Sequence, residues 1–522
     1  MQSYALTVDK LLDHAAKWFG DREVVTGGGS GPDDRIGYAA LRRRANLLSG
    51  ALASLGVTLG TRVATLAWNS RHHVELTYAA MGIGSVCHTL NPRLTIEQLA
   101  AMIDEAGDIL LAVAGDLIEQ GAELKARCSS VRHLILLDDE GATSPAGTLT
   151  IDKLIEDHGV AVPWGDFDER TVAGLCFTSG TTGAPKGVEY THRSNYLHTL
   201  RALAADAVAL TARESLLLAV PMFHANGWGL PFAAPAAGTK LVLPGRHLDG
   251  ASLAGLIRAE QVTVAVGVPT VWLGLLEQLE RSGESVPSLE RILIGGSSCP
   301  AALIERLERG LGARVQTSWG MTELSPIGTL SPPFARAVPG TAGRPPLGLD
   351  LKLTDADGTP LTDQRAGQGH LWVRGPSVLD RYLGAENDAL DAEGYFPTGD
   401  LATIDRDGNL TICGRAKDLI KSGGEWINPA EIEAIVGADT SVQHVAVIAR
   451  PHVRWGERPV MIVERAEGAE PVDLLALLKG RIAGWWLPDA VIEISAMPLA
   501  ATGKIDKQRL RREYASDPAA AA

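Results

Sequence analysis

Residues Val172 to Phe177 form an apolar run with the length of a buried strand, and the chain then enters Thr178-Ser179-Gly180-Thr181-Thr182-Gly183-Ala184-Pro185-Lys186-Gly187. Small residues let backbone N–H groups approach an anion closely, hydroxyls add donors, and a lysine adds charge. A strand that leads straight into such a loop must deliver it to the rim of a sheet, where it can face a phosphate-bearing ligand. A P-loop would need glycine directly before the lysine and Ser or Thr directly after it. Here Pro185 precedes Lys186 and Gly187 follows, so that architecture fails at both positions. An ordinary surface loop rarely concentrates four hydroxyls and three glycines in ten residues.

The surrounding chain alternates strand and helix. Tyr38 to Leu55 carries apolar residues at helical spacing with arginines on the other face, and Gly56 closes it. Arg62 to Trp68 reads as a strand, Val74 to Ile83 as a helix and Ser85 to Leu90 as a strand. Further short strands are predicted at 134–137, 216–220, 240–243 and 262–266, with helices at 253–259 and 270–278 between them. This order implies parallel sheets covered by helices, the α/β class. After about residue 350, strands at 351–354, 370–374 and 410–413 are joined by Asp/Gly turns, which predicts a small antiparallel or barrel-like section. Beyond Arg415 comes a further α+β unit with helices at 429–436 and 472–483 and strands at 444–449, 459–463 and 491–494. A chain of 522 residues exceeds what one core usually supports. The expected division is a large N-terminal domain, 1–416, and a small mobile C-terminal domain, 417–522.

With 48 basic and 62 acidic residues the net charge is −14. Such a surface repels nucleic acid, so no nucleic-acid partner is expected, and any polyanionic ligand needs a local cationic or N–H site. The five cysteines are scattered and lack metal-ligand spacing, as reduced cytoplasmic thiols would. The N-terminus has no signal-peptide pattern, and no stretch approaches the length of a membrane span. Peripheral membrane contact and a homodimer stay open.

Five further motifs follow the loop in order. They are Gly295-Gly296-Ser297-Ser298-Cys299-Pro300, Trp319-Gly320-Met321-Thr322-Glu323, Tyr395-Phe396-Pro397-Thr398-Gly399-Asp400, the run from Gly414-Arg415 to Gly424-Glu425, and Thr502-Gly503-Lys504. Each alone is weak; six in order are specific. Over nearly its whole length the chain resembles the adenylate-forming superfamily of acyl-CoA synthetases, aryl-CoA ligases, luciferases and adenylation domains. Within it, the resemblance is nearest to bacterial medium- to long-chain fatty acyl-CoA synthetases.

The resemblance implies ATP, Mg²⁺ and coenzyme A as ligands, and assigns residues to each. Thr178, Ser179, Gly180, Thr181, Thr182 and Lys186 would bind phosphate. Glu323, with Thr181, would hold Mg²⁺, a hard cation that takes one or two carboxylates beside phosphate oxygens; Thr322 and Glu323 also count as catalytic. Gly296, Ser297 and Ser298 form the adenine-side loop. Trp319 stands where the family usually has tyrosine and would stack on adenine. Asp400 would accept the ribose hydroxyls, Arg415 would hold ribose or phosphate, and Lys421 also falls among the cofactor-binding positions. Lys504 would stabilise charge on the α-phosphate as the carboxylate attacks. Gly424 would line the pantetheine path after a rotation at the hinge residue Lys417. Taken one at a time, each of these has a plain structural explanation: a core tryptophan, a turn aspartate, a surface lysine.

Phe223-His224-Ala225-Asn226-Gly227-Trp228 speaks to the acid. Amino-acid-activating relatives place an aspartate where His224 stands, so an amino acid substrate is not expected. His224, counted as catalytic too, and Trp228 would line the acid pocket with Gly296, Gly320 and Trp426. A pocket of this branch is apolar and selects by length and shape, which discriminates weakly, by about 1–3 kcal/mol per methylene. Medium- to long-chain fatty acids lead; a short thioether, branched or aryl acid is the alternative. A catalytically silent adenylate sensor is a rival of another class, against which the joint presence of Lys186, Glu323 and Lys504 argues.

Overall fold

Alternate side chains of a strand point to opposite faces, so a strand buried on both sides must feed two cores. The strands do so here. Val63, Leu110 and Ala112 enter one core with Leu216 and Leu218. Ala64, Leu66, Leu111 and Val113 enter a second, and Leu217 a third. Two sheets therefore share a central helical layer and each carries further helices outside. The central layer holds helices Asp9–Trp18, Tyr38–Ser54, Arg71–Gly82 and Leu230–Ala237. Ile96–Ala106 and Ile118–Arg127 cover the first sheet, and Gly250–Ala259, Pro269–Ser282 and Ala301–Leu311 the second. Each fully buried Leu or Val in these layers contributes about 1.5–3 kcal/mol of apolar transfer.

The computed structural model describes the chain except residues 28–33, 139–148, 179–184, 298, 300, 424, 467, 471, 501–503 and 516–522. Ser179, Gly180, Thr181, Thr182, Ser298 and Gly424 lie outside the described residues.

The first sheet has seven strands, six of them parallel, and ends on the antiparallel pair Val172–Phe177 and Gly187–Thr191. The second has eight, parallel in its middle, with an antiparallel strand at each edge, Ile327–Leu330 and Asp34–Gly37. A third sheet is antiparallel throughout: Asp350–Thr354, Gln368–Arg374, Phe396–Ile404 and Leu410–Arg415. The 3-10 turn Ala416–Asp418 leads from it into the last sheet, of five strands.

Three element boundaries differ from the sequence expectations for identifiable reasons. The helix expected from Val74 begins at Arg71, because the Ser70 hydroxyl accepts the His73 N–H at 3.2 Å and caps it. The strand expected through Trp68 stops at Leu66, and Asn69 leaves the sheet to bond elsewhere. The helix expected over 472–483 spans only Leu474–Leu478; Gly480 turns the chain at φ +77°.

Several histidines are buried inside this framework, His73 and His192 among them. His73 shares a hydrogen bond with Thr65 at 2.9 Å and one with the Trp68 carbonyl at 3.1 Å. Burial lowers its pKa to about 4, against a partial rise from that carbonyl. Burial, aided by Lys10, lowers His192 to about 3. On acidification the unfolded chain takes up these protons near the ordinary histidine value of about 6.5, while the folded chain does not. Stability therefore declines between about 6.5 and the folded values. Denaturant titrations from pH 7 to 4.5 should show a shallower decline for His73→Gln than for wild type; equal slopes would remove His73 from the balance.

Candidate active site

Strands Val172–Phe177 and Gly187–Thr191 run antiparallel, and the loop between them is closed at its root. The Thr178 N–H donates to the Lys186 carbonyl at 2.9 Å, and the Lys186 N–H to Thr178 Oγ1 at 3.3 Å. The Lys186 ammonium stands 4.7 Å from the centre of the Tyr382 ring. That tyrosine's hydroxyl donates to Glu323 Oε1 at 2.8 Å. Glu323 is buried in the 3-10 turn Thr322–Leu324, which is seated by the Tyr190 hydroxyl on the Thr322 carbonyl at 2.7 Å. Burial pushes the Glu323 pKa up, while Tyr382, Arg415 and Lys186 pull it back down. Tyr382 had no sequence signal of its own; a lone tyrosine in a polar loop looks like any other.

The second cluster joins two sheets. Asp400, on strand Phe396–Ile404, is 3% exposed. Its Oδ1 lies 2.9 Å from Arg415 Nε, and its Oδ2 accepts the Trp319 indole N–H at 2.9 Å. Arg415 also donates to the Thr398 carbonyl at 2.9 Å. Burial raises the Asp400 pKa, and Arg415, Trp319 and Lys504 oppose it.

Lys504 belongs to the C-terminal unit, yet its charge acts on both Asp400 and His224. Its own pKa is lowered, first by burial of the ammonium and then by Arg415, with Asp400 opposing. The residue as a whole is exposed. Lys417 occupies the turn Ala416–Asp418, and Asp418 pairs with Arg511 at 2.6 Å. Lys421 and Trp426 sit on the hairpin of Ile420–Ser422 and Glu425–Ile427, the ammonium 5.4 Å from the indole centre. Trp426 lines a cleft with Gln368 and Trp486, and no contact joins it to His224 or Trp228 among the described residues.

At the acid end the Asn69 side chain ties the two large sheets together. Asn69 Nδ2 donates to the Leu218 and Val220 carbonyls at 2.9 and 2.8 Å, and its Oδ1 accepts the Met222 N–H at 2.7 Å. His224 follows, half-buried, with its Nε2 enclosed and unpartnered among the described residues. Burial lowers its pKa to about 4, helped by Arg93 and Lys504, so it is a neutral imidazole at pH 7. Ala225, Asn226, Gly227, Trp228 and Gly229 then all take positive φ, 39° to 70°, one turn wound left-handed. Each non-glycine there costs about 1–2 kcal/mol. The turn lays the Trp228 indole against Gly295 and Gly296: a Cβ on Gly295 would stand 2.7 Å from it. Ser297 continues that loop, and Gly320 ends strand Arg314–Gly320 beside the Pro326 carbonyl.

Among the described residues no three His, Cys, Asp or Glu side chains cluster to hold a metal. Mg²⁺ does not need three when phosphate oxygens complete its shell. Glu323, buried and held by one oxygen, fits such a role.

The sequence pattern of the AMP-binding enzyme family matches residues 12–383, and that of the AMP-binding enzyme C-terminal domain matches residues 431–504. A 3-methylmercaptopropionyl-CoA ligase of Ruegeria lacuscaerulensis is 41% identical, covering 98% of this chain and 98% of its own. A medium-chain-fatty-acid–CoA ligase of Ectopseudomonas oleovorans is also 41% identical, over 98% of this chain and 97% of its own. ATP-bound MatB from Rhodopseudomonas palustris superposes with a TM-score of 0.87 at 26% identity, covering 98% of this chain and 99% of that one.

Tyr382→Phe removes a donor to ionised Glu323, so the carboxyl should protonate at a higher pH than in wild type. Because the ionised form is lost as pH falls, the acid limb of kcat/KM for ATP should shift upward. The loss should reach roughly tenfold at pH 6, the scale of one hydrogen bond to a charged group. A pH–rate profile that superposes on wild type would separate Tyr382 from Glu323 function.

Proposed function

The chain belongs to the AMP-binding enzyme family and is an AMP-forming acid:CoA ligase, and on that premise we propose that its acid is linear, apolar and of short to medium length. ATP and the acid would form acyl-adenylate and pyrophosphate in a large unit, 1–416. The C-terminal unit, 417–522, would turn to admit the coenzyme A thiol. The first step is supported by Lys504, whose charge is near enough to both Asp400 and His224 to bear on their ionisation.

The residues divide the chemistry. Asp400 accepts the ribose hydroxyls and Arg415 steadies it. Thr178 to Lys186 and Ser297 embrace phosphate and adenine. Neutral His224 has an unpartnered Nε2 to orient the acid's carboxylate or the nascent acyl oxygen. Lys504 places its ammonium where negative charge builds on the α-phosphate oxygens. Mg²⁺, held by Glu323 and Thr181, would neutralise phosphate charge. After rotation at Lys417, Gly424 would pass the pantetheine, with Lys421 beside it.

The acid's shape is read from Trp228, whose indole packs on Gly295 and Gly296 and would wall off a chain extending past His224. No carboxylate contacts His224 among the described residues, which supports an uncharged acyl chain. The Ruegeria and Ectopseudomonas relatives are named for a short thioether acid and for medium-chain fatty acids. Both are unbranched chains of comparable width, and a thioether sulfur replaces a methylene with little change of shape. Long chains and Trp426 play no part in this reading.

A panel from butanoate to palmitate, with 3-(methylthio)propionate, should give maximal AMP release at or below about ten carbons, each methylene changing the rate by a few-fold. Gly295→Ala pushes on Ser318 Oγ and on Trp228 and should shift the optimum shorter without changing KM for ATP. A branched, aryl or long-chain optimum defeats the proposal. Lys504→Ala should lose pyrophosphate release by about 10²–10³-fold yet still convert supplied acyl-adenylate to thioester. Loss of both half-reactions alike would contradict the division of labour.

A further inference from the structure

Asp400 is asked to remain a buried anion under changing support. Burial disfavours its charge, and three groups oppose that: Arg415, the Trp319 N–H and Lys504. One of the three, Lys504, lies outside the large unit, and a second, Arg415, paired across from Asp400, stands at that unit's very end. Arg415 is the last residue of strand Leu410–Arg415 and directly precedes the turn Ala416–Asp418. Lys504 lies in the C-terminal unit and, on the reading above, leaves the site once the adenylate has formed.

Trp319 is different. It lies on strand Arg314–Gly320 and is 8% exposed. It packs in one core with Tyr190, Leu324 and Phe396. Its six-membered ring lies so close over Gly328 that a Cβ there would stand 2.5 Å away. Nothing in that packing moves with the C-terminal unit. The indole N–H reaches Asp400 Oδ2 at 2.9 Å. A carboxylate offers about four lone-pair sites; Trp319 and Arg415 occupy two, on different oxygens, which leaves the others for the two ribose hydroxyls.

We propose that Trp319 is a positioning residue for Asp400: its indole N–H fixes one carboxylate oxygen from the rigid large unit and so aims the carboxylate at the ribose in every orientation of the C-terminal unit. This differs from stacking on adenine, in which any aromatic ring serves, and from core packing, which is indifferent to the ribose. It rests on the assignment of Asp400 to the ribose.

The test compares ATP with 2′-deoxy-ATP and 3′-deoxy-ATP in full-length wild type, Trp319→Phe, Trp319→Tyr and Asp400→Asn, each checked for wild-type thermal unfolding. Trp319→Phe keeps an aromatic ring and loses the N–H. It should raise KM for ATP roughly tenfold with kcat close to wild type, and shrink the preference for ATP over both deoxynucleotides by a similar factor. Trp319→Tyr, the second variant should Phe fold poorly, should behave alike. A KM increase that is the same for all three nucleotides, or an unchanged preference, overturns the inference. Asp400→Asn keeps the two failures apart. If it loses the ribose preference while Trp319→Phe keeps it, only the role of Trp319 falls. If Asp400→Asn itself keeps the preference, the ribose assignment falls and takes the inference with it.

Discussion

Three hydrogen bonds from Asn69 hold the acid end of this molecule together. The two large sheets share a helical layer and one core between them. What makes them one site is the contact between their rims, where the chain leaving strand Arg62–Leu66 reaches the chain leaving Ser215–Leu218. An amide side chain suits the task because it donates twice and accepts at once. A buried backbone that lost those partners would carry unsatisfied carbonyls at about 1–3 kcal/mol each. The loop bearing His224 and Trp228 starts from this tie, so its position is set by the sheets rather than by itself.

Around that point the site is assembled from separate pieces of chain. The first sheet supplies the loop root at Thr178 and Lys186, and the second supplies Trp319 and the turn of Glu323. The third supplies Asp400 and Arg415, and the C-terminal unit supplies Lys504. The contacts among them are mostly between unlike partners: cation on ring, hydroxyl on carboxylate, indole on carboxylate. Buried carboxylates at 323 and 400 are each held by one neutral donor and by nearby cations. Neither is neutralised by a full complement of partners, which leaves capacity for a nucleotide and its counter-ion.

Much of the fold was legible because its strands and helices are strongly patterned. The strand read from Arg62 feeds two cores, through Val63 into one and through Ala64 and Leu66 into the other, and the helix Tyr38–Ser54 follows the periodicity read from its leucines. Helix His192–Ala202 was not read, because it buries Ser194, Asn195, His198, Thr199 and Arg201 and so shows no apolar stripe. In the site, the motifs gave the residues but not their neighbours. Tyr382 lies 59 positions from Glu323 and announces nothing in sequence. The Trp319–Asp400 bond, across 81 positions, is equally a product of tertiary packing. Trp426 matches a family pattern, yet whether it meets the acid depends on how the C-terminal unit stands, which no local pattern encodes.

The left-handed turn from Ala225 to Gly229 has a bearing on how this pocket can be redesigned. A segment wound against its natural hand is held by its surroundings, and here the Trp228 indole seated on the two glycines is one of its holds, beside the Asn226 amide on Thr89. The residue that shapes the pocket also helps keep the pocket's wall from unwinding. Enlarging the cavity by trimming that ring therefore does not simply subtract volume; it removes a clamp on a stressed spring. Broader acid tolerance in this scaffold comes with a looser wall, and the two have to be engineered together.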